Sequence, residues 1–122
     1  MMRNLDVKCA ELAEKLAEDA NSERENLLTD SLGVLEEQGL YAFFLFLKTA
    51  KKGNAKQVSE ECAKFLVAQG FLANNGSNKP FDHLKLLAEK LDDLLFAREL
   101  LMQALVYARY HAKARTEGAA RR

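Results

Sequence analysis

The residues that could do chemistry in this chain are few and scattered. Two histidines, His83 and His111, are 28 positions apart, and no H-x-x-x-H pair exists that would set two imidazoles on one helix face as metal ligands. Cys9 and Cys62 stand alone, without the C-x-x-C spacing of a zinc site or a dithiol redox centre. Asp92 and Asp93 are the one carboxylate doublet in the second half, but neighbours on a helix point about 100° apart and make a poor acid/base dyad. Neither G-x-x-x-x-G-K-[ST] nor G-x-G-x-x-G occurs to cradle a phosphate. Catalysis needs a nucleophile, base or metal held at close quarters, so the reading is a protein that is not an enzyme, has no cofactor, and acts through its surfaces.

Two surface features remain. The first is basic: Lys48, Lys51 and Lys52 in the middle of the chain, and Arg98, Arg109, Lys113 and Arg115 near its end. Lysine and arginine suit the sequence-independent contacts that proteins make with nucleic-acid phosphates. The second is an excess of apolar surface: Met102, Val106 and Tyr110 fall on the side of the last helical segment away from its core stripe and read as a protein interface.

The elements that must carry these residues are helices throughout. The 122 residues suffice for one domain, 48% hydrophobic and 30% charged, rich in Ala, Leu, Glu and Lys and devoid of Ile. Leu5, Cys9, Leu12 and Leu16 form a stripe at helical period over residues 3–20. Ser22 and Glu25 read as a capping box opening a second helix near Glu23, with Leu28, Leu32 and Leu35 inward and Gly39 as its stop. Residues 40–47 are apolar on every side, which places that helix at the centre of a bundle or between the core and a partner, with Lys48, Lys51 and Lys52 as helical neighbours at its end. A fourth helix covers about 55–69, with Val58, Cys62, Phe65 and Leu66 inward. After the 74–79 loop, Pro80 suits the first turn of a fifth helix facing inward with Phe81, Leu84, Leu87, Ala88 and Leu91. A break at Asp92–Asp93 leads into the last helix, 94–115, whose Ala97, Leu101, Ala104, Leu105, Ala108 and Ala112 lie within about 100° of one another. Residues 116–122 read as a frayed tail. The expected fold is all-α, a compact single-domain bundle of about six helices spanning 1–122, with both cysteines buried as reduced thiols.

The net charge is zero but unevenly distributed. Residues 1–38 hold four bases against ten acids (net −6), residues 39–64 five against two (+3), and residues 96–122 six against two (+4). Such polarity suits head-to-tail self-stacking or an anionic ligand. The longest apolar run, eight residues, is too short to span a bilayer, and no signal-like segment opens the chain, so the expected location is cytoplasmic and no membrane partner is expected.

Gly39-Leu40, followed by the aromatic-rich helix ending at Lys48, resembles the G-L-x-x-x-x-x-F-x-x-x-K stretch of the small α-helical subunit of type III-B CRISPR effector complexes, the Cmr complex. Residues 104–114, Ala-Leu-Val-Tyr-Ala-Arg-Tyr-His-Ala-Lys-Ala, are similar to that family's closing pattern, with Tyr107 where the family often has Trp. The resemblance runs from about Glu25 to Arg115. It implies a CRISPR-associated protein of antiviral defence, without nuclease activity, whose copies stack beside the other effector subunits and contact the guide and target RNA through basic residues; Lys48 and Arg109 match the family's basic positions. Lys51, Lys52, Arg98, Lys113 and Arg115 join them on charge and helical geometry alone. The competing reading is a helical protein–protein adaptor with no nucleic-acid role.

Overall fold

The computed structural model describes residues 2–18, 20–71 and 91–120. Its elements are α1 (Met2–Ala17), α2 (Ser22–Gln38), α3 (Leu40–Thr49), α4 (Ala55–Ala68) and α5 (Leu91–Ala120). The chain is all-helical over the described residues, and the helix expected after Pro80, with the 74–79 loop before it, lies outside them. The main helix contacts close a ring: α1 packs on α5, α5 on α2, α2 on α3, α3 on α4, and α4 back on α1. One hydrophobic core fills the ring.

α5 is the longest wall of that ring, 30 residues or about 45 Å. The six residues expected to form its core stripe, Ala97, Leu101, Ala104, Leu105, Ala108 and Ala112, are all fully buried. Four of the six are alanine, which lets α1 and α2 approach the α5 backbone closely. The helix includes Asp92 and Asp93 without a break and continues past Thr116, so the segment read as a tail is helical as far as Ala120.

The joints follow local chemistry with two departures from expectation. α2 is capped by Asn21, not Ser22: the Asn21 Oδ1 accepts from the Arg24 amide at 3.0 Å, and the helix opens one residue early. Asparagine is among the best N-caps, and this register turns Arg24 inward. α3 is not central either. Leu40, Phe43, Phe44 and Leu47 are buried, but Tyr41 and Leu45, one turn apart, face outward. Gly39, at φ 95, turns the chain between α2 and α3. α4 ends as expected near Gly70, where the Gly70 amide donates to Val67 O and the Phe71 amide to Leu66 O, the paired bonds of a Schellman stop.

Arg24 holds four segments together. It is 6% exposed, and its Nε donates to Gly53 O (2.5 Å), one terminal nitrogen to Leu16 O (2.6 Å) and the other to Gln57 Oε1 (2.6 Å). The end of α1, the start of α2, the α3–α4 turn and the first turn of α4 therefore meet on one guanidinium. Gly53 makes this possible in two ways. Its φ is 73, and a Cβ there would lie 2.9 Å from Glu23 O and 3.0 Å from Leu27 Cβ.

Both cysteines are buried and unbridged, as expected. Cys9 donates to Leu100 O at 3.4 Å. Burial, with the charge of Asp6 second, pushes its pKa up to about 11, and burial together with Glu61 pushes that of Cys62 up to about 12.

Two outcomes are expected. Replacing Arg24 by Met strands two backbone carbonyls and the Gln57 amide, lowering unfolding free energy by roughly 3 kcal/mol, and Gly53→Ala costs about 2 kcal/mol; a urea midpoint within error of wild type in either would contradict the joint. The thiols act through linkage. Their folded pKa values are raised, so the stability they contribute is complete below pH 9 and is lost as pH rises toward 11, because the unfolded chain releases those protons first. By pH 10 the loss is on the order of 1 kcal/mol per thiol. The double variant Cys9→Ala, Cys62→Ala should have the flatter stability profile between pH 8 and 10.

Candidate functional site

The seven basic residues singled out from the sequence do not form one patch. Arg98 turns back into the fold. Its Nε donates to Leu35 O at 3.1 Å and a terminal nitrogen to Glu36 O, closing the last turn of α2, where free carbonyls and the negative end of the helix dipole favour a cation. Its half-buried position takes it out of the exposed basic set.

Arg109 is exposed, and its Nε donates to Thr29 Oγ1 of α2 at 3.2 Å. Lys113, one turn on, is exposed as well, and Thr116 donates to Glu25 Oε2 at 2.9 Å. Arg98 near Leu35, Arg109 at Thr29 and Thr116 at Glu25 show α5 running antiparallel to α2. Arg115 lies on another side. With His111 it borders a groove against α1 that Glu11, Glu14, Lys15 and Glu18 also line. The groove brings Arg115 to the same side of the molecule as three acids of the first third.

Lys48 is in the last turn of α3. Lys51 and Lys52 are exposed, but not on that helix: α3 ends at Thr49, Ala50 is extended, and left-handed Gly53 and Asn54 reverse the chain into α4. Lys56, exposed in the first turn of α4, adds a fourth lysine within nine residues, and no acid occurs between Gly39 and Ser59. Lys56 is one of the five bases that give residues 39–64 their positive excess.

The relation between the two basic groups follows from α2. Gly53 abuts Glu23 and Leu27, whereas Arg109 and Thr116 reach Thr29 and Glu25. At 100° per residue these two pairs point about 160° apart across the outward face. The outward face between them holds Ser22, Asn26, Asp30, Gly33 and Glu37. The lysine turn and the Arg109–Lys113 ridge therefore flank α2 on opposite edges, with Asp30 and Glu37 between them. Two separate contacts with an anionic strand fit this layout better than one continuous track.

The apolar residues also divide. Met102 and Val106 pack against the core and are half-buried, contrary to the expectation of an outward patch, while Tyr110 is 71% exposed. Tyr107 donates to Asp6 Oδ1 at 2.7 Å and ties α5 to α1, and that hydrogen bond raises the phenol's pKa. Leu95 and Phe96 are half-exposed, with Phe96 edge-on to Phe71 at 5.7 Å.

Among the described residues no three His, Cys, Asp or Glu side chains gather to hold a metal ion, and no helix is long and apolar enough to cross a membrane. His83 lies outside the described residues. Comparison with known protein families, with curated proteins and with solved structures gives no match.

The division among the arginines and lysines is measurable. Arg98→Ala should lower unfolding free energy by about 1–2 kcal/mol, while the Lys51→Ala, Lys52→Ala double variant should stay within about 0.5 kcal/mol of wild type. Equal effects in thermal or urea unfolding would contradict the assignment of Arg98 to the fold.

Proposed function

We propose that this chain is a non-catalytic small subunit of a type III-B CRISPR RNA-targeting complex, and that it touches the RNA backbone at two places, the Lys48–Lys51–Lys52 turn and the Arg109–Lys113 ridge. The observation that carries this reading is how the two resembling segments divide between core and surface. Their apolar positions Leu40, Phe43, Phe44, Leu47, Ala104, Leu105, Ala108 and Ala112 are buried, and the two matching basic positions, Lys48 and Arg109, are exposed. A pattern kept only for packing would have no need of exposed cations at those points.

Phosphate contacts from lysine and arginine carry no sequence information, which suits an assembly in which guide–target pairing supplies the specificity. A few contacts per copy are weak alone and gain strength when several copies lie along one strand. Arg98 and Arg115 have no part in this role. The antiviral function and a cytoplasmic location belong to the same reading.

The adaptor alternative draws on a different observation. Tyr110, together with Tyr41 and Leu45, is an outward apolar group that a protein partner could cover.

The test is reconstitution with the other effector subunits and guide RNA. Wild type should co-assemble, and a Lys51→Glu, Lys52→Glu, Arg109→Glu variant should co-assemble yet bind target RNA at least tenfold more weakly, with a salt slope smaller by about 2. Failure of the wild type to co-assemble overturns the subunit reading. Co-assembly with unchanged RNA affinity in the variant overturns the RNA contacts and favours the adaptor.

A further inference from the structure

Three aromatic rings stand out among the described residues: Tyr41 at 38%, Phe96 at 47% and Tyr110 at 71% exposed. Phe96 is edge-on to Phe71, and Tyr41 shares the outward side of α3 with Leu45. Tyr110 differs in what surrounds it. Its exposed neighbours on α5 are Arg109, His111, Lys113 and Ala114, with no large apolar side chain among them. Val106, one turn back, is half-buried and packs against the core. No Asp or Glu occurs from Leu100 to Thr116.

Helix geometry sets two cations on one flank of this ring. With Tyr110 as the crest, Lys113 lies about 60° and Arg109 about 100° round the helix on the same side, toward α2, and Ala114 lies about 40° the other way. Arg109 is held on that flank, its Nε donating to Thr29 Oγ1 at 3.2 Å. Glu25, the acid of α2 on this side, is half-buried and accepts from Thr116. Side chains three apart on a helix start about 5–6 Å from each other, on the scale of a nucleotide's base and its own phosphate. Ala114, one turn on, adds only a methyl group beside the ring. The other flank is acidic: His111 and Arg115 border the groove that Glu11, Glu14 and Glu18 also line, and those carboxylates repel a phosphate. A tyrosine that anchors a protein partner is typically ringed by contacts that exclude water. An exposed ring among exposed cations is instead the combination that binds single-stranded nucleic acid, where the cations take phosphates and the ring takes a base.

We propose that Tyr110 is a stacking platform for one unpaired RNA base, whose adjoining phosphates lie against Arg109 and Lys113. This rests on the reading of the Arg109–Lys113 ridge as an RNA contact and narrows its ligand to a single-stranded stretch, because bases within a duplex are already stacked and offer a helix crest only backbone and groove edges. Every base has a π-face, so the platform adds affinity without reading sequence.

The test is an NMR titration of the full chain with a ten-nucleotide oligoadenylate at low salt. Wild type should bind saturably, and the Tyr110 ring protons should move upfield as a base covers them. Tyr110→Ala should weaken binding about fivefold or more, whereas Tyr110→Phe, which keeps the ring and loses the hydroxyl, should stay within about twofold of wild type. Tyr110→Ala should leave the salt slope unchanged, and Arg109→Ala should reduce it by about 0.7. On an abasic oligomer of equal length, which keeps the phosphates and lacks the bases, wild type and Tyr110→Ala should bind equally. No saturable binding by wild type, no upfield ring shift, or an equal loss on the abasic oligomer would each overturn the platform. A loss in Arg109→Ala with none in Tyr110→Ala overturns the platform alone and leaves the RNA ridge standing; no loss in either overturns both. Failure of Tyr110→Ala to co-assemble with the effector subunits, with oligoadenylate binding unchanged, makes the ring a protein contact and likewise overturns the platform.

Discussion

Four segments of this protein converge on one guanidinium. Arg24 takes the Leu16 carbonyl near the end of α1, the turn between α3 and α4 and the first turn of α4 into a single set of short hydrogen bonds, all from the start of α2. Burying a charge is expensive, and the expense is tolerable here because arginine is weakly hydrated, planar and able to bond in several directions at once. Lysine in the same place could not span three acceptors in a plane. The joint fixes how α1 and α4 meet across the start of α2, and it sets the lysine turn at one edge of that helix.

The opposite wall depends on α5. Its alanine-rich stripe lets two helices lie close, and polar contacts at its flanks set their alignment: Arg98 on the end of α2, Arg109 and Thr116 along α2, Tyr107 on Asp6 of α1. These are a few hydrogen bonds at the edge of a large apolar contact. The burial supplies most of the stability, and the bonds decide register and rotation. A ring closed in this way leaves α2 with a long outward face bordered on one side by a turn and on the other by α5.

That arrangement governs what the surface can do. The basic residues of the lysine turn and of the Arg109–Lys113 ridge face outward at the two edges of an acidic helix, so an anionic strand would meet them as separate points. Arg115 lies apart from them, along a groove that acids of α1 also line. The apolar surplus reduces to a few outward aromatic and leucine side chains, Tyr110 the most exposed of them, because Met102 and Val106 are drawn against the core.

Much of the fold was legible in the chain itself. The all-helical class, the α5 core stripe, the buried thiols, the end of α4 near Gly70 and the turn at Gly39 follow from helical period, glycine and the scarcity of β-branched residues, all of which act over a few neighbouring positions. What only tertiary structure decided concerns groups whose partners are distant in sequence. Arg24 enters the sequence reading only as one of four bases in an acidic segment, since Leu16, Gly53 and Gln57 mark themselves in no way as its acceptors. Arg98 looked like its neighbours Arg109 and Lys113 on a helical wheel, yet the end of α2, some 60 positions earlier, claims it. Asn21 displaced Ser22 as cap by a shift of one residue that local preference alone does not resolve, the two residue types being nearly equal at that position. Periodicity determines which face of a helix is buried; it is silent on which polar side chain at the border turns in, because that depends on unsatisfied carbonyls that the rest of the fold brings within reach.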